Sequence, residues 1–509
     1  MQGRQIVNIV NFIRGVEPRE TVDLVAPVKE QIALMQKHHL RGTFLLQYDA
    51  LIDPAFTDLL LSLDPQQFEI GVWFETVQPQ VEAAGLPWRG RFPWDWHAHC
   101  GFSVGYTKAE REKLVDVLYG KFKEIFGYFP KVFGSWFFDS HTVRYLSNRY
   151  GVDALCNCKE QYGTDGYTLW GGYYGQGYYP SRTNVFLPAQ SDSDQIPAPL
   201  FRMLGSDPVY QYDCGLDIES GAARWQGVMT LEPVYKRGGG GDTAWVDWYL
   251  AENFNGECLS FGYTQAGQEN SFGWHSMKDG LCYQFALFEQ LQADGKLIVE
   301  PLGDSGRRYK ATYASTPASA ITAHSAYDDP QKSSVWYSSK YYRTNFFSDH
   351  GKLRIRDLHL FSPLLTDPFE QEICKGNEAT YESLPVIDGN RHSKGGVLAG
   401  IYFTDANGRE LSADTLEFTD LGSGKARICC GELTAELWED RLILTCPFPF
   451  HAIFKRGSQD HLPETEYCHP HRLGYRYRGV SYQLHTAAGQ FLSDTDIQSD
   501  NGRIELQLS

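Results

Sequence analysis

Residues 42–73, GTFLLQYDALIDPAFTDLLLSLDPQQFEIGVW, decide the fold. GTFLLQ (42–47) and FEIGVW (68–73) are short apolar runs of strand length, and residues 54–63 between them are helix-like. A strand that returns parallel to its predecessor needs such a crossover. Working outward, residues 5–13 (QIVNIVNFI) form an earlier strand-like run, and residues 22–40 follow with helix-period apolar positions. Downstream, residues 108–126 form a long charged amphipathic helix ending at Gly127, and residues 132–138 are again strand-like. Strands alternating with helices in this way predict a parallel α/β barrel rather than a sandwich.

The alternation continues less regularly through a Gly- and Tyr-rich stretch at 163–179, then a strand around 258–263, a helix around 280–293 and a strand at 297–300. Residues 315–334 (STPASAITAHSAYDDPQKSS) are rich in small and turn residues, and short alternating runs at 353–361, 397–403, 426–437, 442–447 and 475–485 follow. The expected organisation is a barrel over 1–312, a linker over 313–334 and a β-rich, sandwich-like domain over 335–509.

The chain has 509 residues, enough for more than one core. Its formal charge of −17, with no basic run, argues against a phosphate-tracking surface and hence against nucleic acid. Nowhere do about 18 apolar residues run together, so no membrane span is expected. Eleven cysteines without a repeating frame, and no visible export signal, point to reduced thiols in a cytoplasm. Cys156-Asn-Cys158 and His97-Ala-His99-Cys100 resemble ligand spacings, but neither has a second pair, so no structural zinc is expected. Aromatic residues make up 14% of the chain, which suits either sugar binding or a large aromatic core.

Three segments, in order, resemble the polysaccharide-deacetylase superfamily. Gly42-Thr43-Phe44-Leu45-Leu46 is similar to its second strand. Phe68-Glu69-Ile70-Gly71-Val72-Trp73 is similar to a motif that normally reads His-Glu-Ile-Gly-x-His. Residues 127–141 (GYFPKVFGSWFFDSH) with 145–152 are similar to the Arg-x-Pro-x-Gly strand and the helix after it. The resemblance covers about the first 160 residues and implies an irregular, TIM-like barrel of seven or eight β/α units. Phe68 and Trp73 stand where that motif has histidines, and Asn11-Phe12-Ile13-Arg14 stands where the family has paired aspartates. A hydroxide-generating metal needs about three such ligands, so no metal or other cofactor is expected.

In a parallel barrel the residues just after each strand face the active site. Arg14, Glu17 and Arg19 follow the first strand, Asp49 the second, Glu75 the third, Asp139 and His141 the fourth, and Glu269 and Asn270 a later one. A histidine titrating near neutrality serves as acid or base, so His141 is the candidate general acid, oriented by Asp139, with Glu17 or Glu269 as base. A metal-free barrel of this type with a His acid also resembles the inverting sialidases of glycoside hydrolase family 156. That resemblance implies an exo-sialidase acting on a terminal sialoside, whose carboxylate a guanidinium would bind. Arg14, Arg19, Arg182 and Arg202 are candidates for that contact, Asp165 for a sugar hydroxyl, and Asn345 for the border of the cleft. Two alternatives stay open: a deacetylase using His97, His99 or Asp95 as metal ligands, and a non-catalytic carbohydrate-binding protein. Barrels with β accessory domains also form homodimers.

Overall fold

The computed structural model describes residues 4–509. Its first sheet is built from β1 (Arg4–Ile13), β2 (Gly42–Leu46), β3 (Phe68–Trp73), β4 (Val132–Gly134) and β5 (Ala154–Asn157). After a hairpin of β6 (Gln161–Thr164) and β7 (Tyr167–Trp170) come β8 (Gly177–Tyr178), β9 (Leu200–Arg202), the small pair β10 (Leu216–Asp217) and β11 (Gly221–Ala222), then β12 (Phe261–Ala266) and β13 (Ile298–Val299). The parallel order is β12-β1-β2-β3-β4-β5-β9, with β8 antiparallel on the β9 edge and β13 beside the first half of β1. From Val7 onward β1 is buried at every position, as expected for a parallel strand covered on both faces.

The sheet curls but does not close. Among the described residues no ladder joins β9 to β12, and side chains fill the seam, Phe201 lying 5.1 Å from Tyr263 between ring centroids. This departs from the full (β/α) barrel expected from the sequence. The reason is local: β9 is only three residues long, and the chain then leaves the sheet for the irregular stretch 203–242.

The fourth strand is shorter than its apolar run. Only Val132–Gly134 form regular strand; beyond them the Ser135 amide still donates to the Cys156 carbonyl at 3.1 Å and the Trp136 carbonyl accepts from the Cys158 amide at 2.8 Å, while the Ser135 hydroxyl donates to the Phe74 carbonyl at 2.7 Å. Asp139 then caps the helix Ser140–Tyr150, accepting from the Thr142 amide.

The C-terminal region is antiparallel and begins earlier than its composition suggests. β14 (Ser319–Ala323), inside the stretch read as a linker, pairs with β15 (Lys332–Ser338), and β16 (Tyr342–Asp349), β17 (Lys352–Leu360), β18 (Ala379–Glu382), β19 (Leu384–Asp388) and β20 (Gly400–Asp405) follow. Nine strands starting with β14-β15-β16-β17-β20 form one sheet, and eight between Glu417–Gly422 and Arg503–Gln507 form another. β18 crosses over to pair in parallel with β7, so the C-terminal region completes a three-stranded sheet at the barrel mouth.

A buried polar network fastens the two regions. Arg343, fully buried on β16, is bidentate to Asp357 at 2.9 and 2.7 Å and also donates to Glu160 and, at 3.0 Å, to the Gly172 carbonyl. Trp170 and Tyr212 both donate to Asp388 on β19, at 2.6 and 2.9 Å. Asn345 belongs to this structural network rather than to a cleft border: it is buried, donates to Ser334 and Val335, and accepts from Arg356 at 2.8 Å.

Candidate active site

The C-terminal ends of the parallel strands open on a cavity of about 610 Å³. Trp136, two residues beyond the fourth strand, forms part of its wall with Tyr167 of β7 and Tyr235. Asp165 sits at the tip of the β6–β7 hairpin. Asp165 and Gly166 both have positive φ, 36° and 77°, the two-residue Asp-Gly turn whose twist matches a hairpin. Gly166 is also required sterically, since a Cβ there would lie 2.3 Å from the Trp96 carbonyl oxygen.

Carboxylates dominate the lining: Glu17, Glu20, Asp165, Glu232 and Glu269 face the cavity, against Arg19. Glu269 follows β12, accepts from Arg14 Nε at 3.1 Å and from Ser271 Oγ at 2.6 Å, and is almost completely buried. Glu232 comes from the irregular stretch and accepts from Thr230 at 2.9 Å and from Gln268, next to Glu269, at 3.2 Å. Burial raises the Glu232 pKa above the ordinary carboxylate value despite those hydrogen bonds and the nearby Lys159 ammonium. Lys159, buried just beyond β5, has its own pKa lowered by the same desolvation.

Behind this wall Arg14 also pairs with Glu75 at 3.1 Å and lies over the Trp94 ring at 3.8 Å. Glu75 is wholly buried and accepts from Trp73 Nε1 at 2.8 Å. Burial pushes it up to about 7, because the Arg14 charge that would counter this is shared with Glu269. Asp49, buried behind Gly15 and Ala50 amides, is raised by burial to about 6. Arg19 spans Glu17, at 2.8 Å, and Asp165, at 3.3 Å.

The fold therefore brings together Arg14, Glu17, Arg19, Asp165 and Glu269 of the residues singled out from the sequence, and it scatters the others. Asp139 and His141 do not reach the cavity. As N-cap and second helical residue they point about 200° apart at 3.6 residues per turn. Asp139 is buried against Arg111 at 2.7 Å and Ser103 at 2.5 Å, and His141 turns to Glu112 on the neighbouring helix Lys108–Phe126, at 2.9 Å. Arg182 is held by the Asp194 carbonyl through its amide, at 2.7 Å, and Arg202 is buried, donating to the Cys158 and Tyr173 carbonyls at 2.8 and 3.2 Å. Neither lines the cavity.

Lys159 and Glu232 escaped sequence reading. The run ALCNCKE at 154–160 carried a usable signal, a short apolar strand ending in charge, whereas Glu232 lies in a stretch without periodicity. The paired-histidine comparison is also corrected. Phe68 starts β3 and Trp73 ends it, roughly 16 Å apart at about 3.3 Å per residue, so only position 73 lies at the mouth end. There Trp73 stacks on Phe12 at 4.1 Å. Among the described residues, no three His, Cys, Asp or Glu side chains converge as a metal-binding group, His97, His99 and Asp95 included.

No protein-family model matches the sequence, and no curated protein matches it. Solved structures do. The chain is similar to a protein from Parabacteroides distasonis provisionally described as a glycoside hydrolase/deacetylase, with TM-score 0.54 and 14% identity over 76% of this chain and 91% of that one. Polysaccharide deacetylases, provisionally so described, from Mycobacterium smegmatis (TM-score 0.35, 13% identity) and Pseudomonas aeruginosa (TM-score 0.37, 12% identity) each match 61% of this chain and more than 90% of their own. At such identities the likeness to the Parabacteroides protein establishes a shared fold alone: a curled, largely parallel α/β sheet with β-rich additions.

Proposed function

We propose that this chain is a carbohydrate-active hydrolase that cleaves a glycosidic bond in the cavity at the strand ends. One observation carries the reading: Glu232 and Glu269 face the same cavity in unlike surroundings, beside Trp136, Tyr167 and Tyr235. Glu232, whose burial favours its neutral form, is the proton donor to the leaving oxygen, and Glu269, held by Arg14 and Ser271, acts as base towards water or as nucleophile. The aromatic rings supply apolar faces for a pyranose.

Sialic acid, the narrower sequence expectation, ranks below neutral and N-acetylated sugars. Arg14 and Arg19 are already engaged by carboxylates, and a wall of five carboxylates against one arginine repels an anionic sugar. Deacetylation is the second reading, supported by the description of the Parabacteroides protein under both activities.

The test is a panel of neutral, N-acetylated, O-acetylated and sialylated glycosides, incubated with and without chelator, with the first-formed anomer read by NMR. Chelator-resistant release of a sugar, lost in Glu232→Gln and Glu269→Gln, is the expected result. Acetate release without glycoside cleavage would replace glycosidase by deacetylase, and turnover of nothing by a folded protein would sink both.

A further inference from the structure

A second cavity, about 400 Å³, lies across the small sheet that walls the cleft. Side chains alternate across a sheet, so β6 and β7 turn Gln161 and Tyr167 to the cleft but Tyr162 and Thr168 to the second cavity, where β18 adds Thr380 and Glu382. The two cavities are thus the two faces of one three-stranded wall.

Their charges are opposite. Arg224, Arg391, Lys394 and Arg478 line the second cavity against Glu382 and Asp460, in a chain of net charge −17. Glu382 acts as an anchor: it accepts from Arg478 at 3.0 and 2.6 Å, from Tyr477 at 2.9 Å, and from Arg391. Arg391 is further packed over Trp170, 5.1 Å from the ring centroid. The other two cations are not spent this way. Lys394 is only loosely opposed by Asp460, at 3.8 Å, and exposed Arg224 forms no ion pair with a described residue.

A short loop joins the cavities. Arg224 lines the second and Gln226 the first, and between them Trp225 is 65% exposed, an indole presented to solvent on the crest. An exposed indole flanked by two polar cavities suits a sugar ring stacked over its face.

We propose that the second cavity is a subsite for a uronate of a glycan whose neutral part occupies the cleft, with Trp225 stacking on the sugar that crosses between them. Anion binding in the cavity stands independently of the chemistry in the cleft; only the bridging by one chain rests on the hydrolase reading. Arg224 and Lys394 supply free N–H donors to the carboxylate, and Arg391 and Arg478 supply the fixed positive field.

Isothermal titration of the full chain with a hyaluronan tetrasaccharide and its carboxyl-reduced counterpart tests this. The uronate form is expected to bind about 10-fold or more tighter, the advantage shrinking as salt rises. It is expected to vanish in the Arg224→Ala/Lys394→Ala double variant, whose altered side chains are exposed and whose fold is checked by its melting temperature. Trp225→Ala is expected to weaken both forms alike. Equal affinity for the two forms, no measurable binding of either, or an undiminished preference in the double variant overturns the proposal. The Glu269→Gln variant separates the two readings, since a uronate preference it retains belongs to the second cavity whether or not the cleft hydrolyses any glycoside.

Discussion

Glu232, from the irregular stretch, and Glu75, just after β3, show how burial sets the chemistry of a carboxyl. Glu232 faces the cavity, and replacing it takes away the proposed proton donor while leaving the aromatic walls; Glu232→Gln is expected to lower kcat about 100-fold or more with KM little changed in steady-state assays. Glu75 is held out of contact with the cavity, and its pKa of about 7 lies above the ordinary 4.5. The folded state therefore binds that proton more tightly than the unfolded chain. The stability this contributes is complete below about pH 4.5 and is lost as pH rises through about 7. Glu75→Gln should then gain stability relative to the parent between pH 5 and pH 8, by up to ~3 kcal/mol in urea titrations at the two pH values. His141→Asn should leave activity within about 2-fold, since His141 contacts Glu112 on the outer helix rather than the cavity. At this scale, position after a strand was enough to place Glu17, Arg19 and Glu269 on the cavity, with Arg14 behind its wall. It failed for His141 because strand-end position says nothing of which way a side chain turns once a helix has started.

At the scale of elements, the most legible was the helix Lys108–Phe126, whose ends are locally encoded. Thr107 and Glu110 form a reciprocal capping box, and Gly127 takes the left-handed conformation that stops it, with φ 83°. The fourth strand was less so, since its apolar run continues past Gly134, where the regular strand ends. The helix Ser140–Tyr150 begins on a buried ion pair: Asp139 caps it and neutralises Arg111, both side chains essentially inaccessible. Asp139→Ala leaves that guanidinium buried without its partner and removes the cap. A loss of ~3–5 kcal/mol is expected, read as a lowered denaturation midpoint.

For the whole molecule, the wall of the cleft depends on both regions, because β18 from the C-terminal region completes the sheet that carries Tyr167 and Asp165. Arg343 holds that arrangement by joining Asp357 to Glu160, beside the buried Lys159. Arg343→Met should leave Asp357 and Glu160 unpaired, costing ~3–5 kcal/mol, and should lower turnover as the wall loosens. Thermal melting and kinetics on the same preparation check both effects. The sequence by itself determined the strand–helix alternation, the β-rich C-terminal region and which charged residues follow the first strands, because periodicity and strand ends are local properties. Tertiary structure alone decided that the curled sheet stays open beside β9, that Glu232 joins Glu269 on the cavity with Lys159 buried nearby, and that His141 faces away from it. Those outcomes depend on burial, on the direction of side chains and on pairing between residues hundreds of positions apart, which no local pattern records.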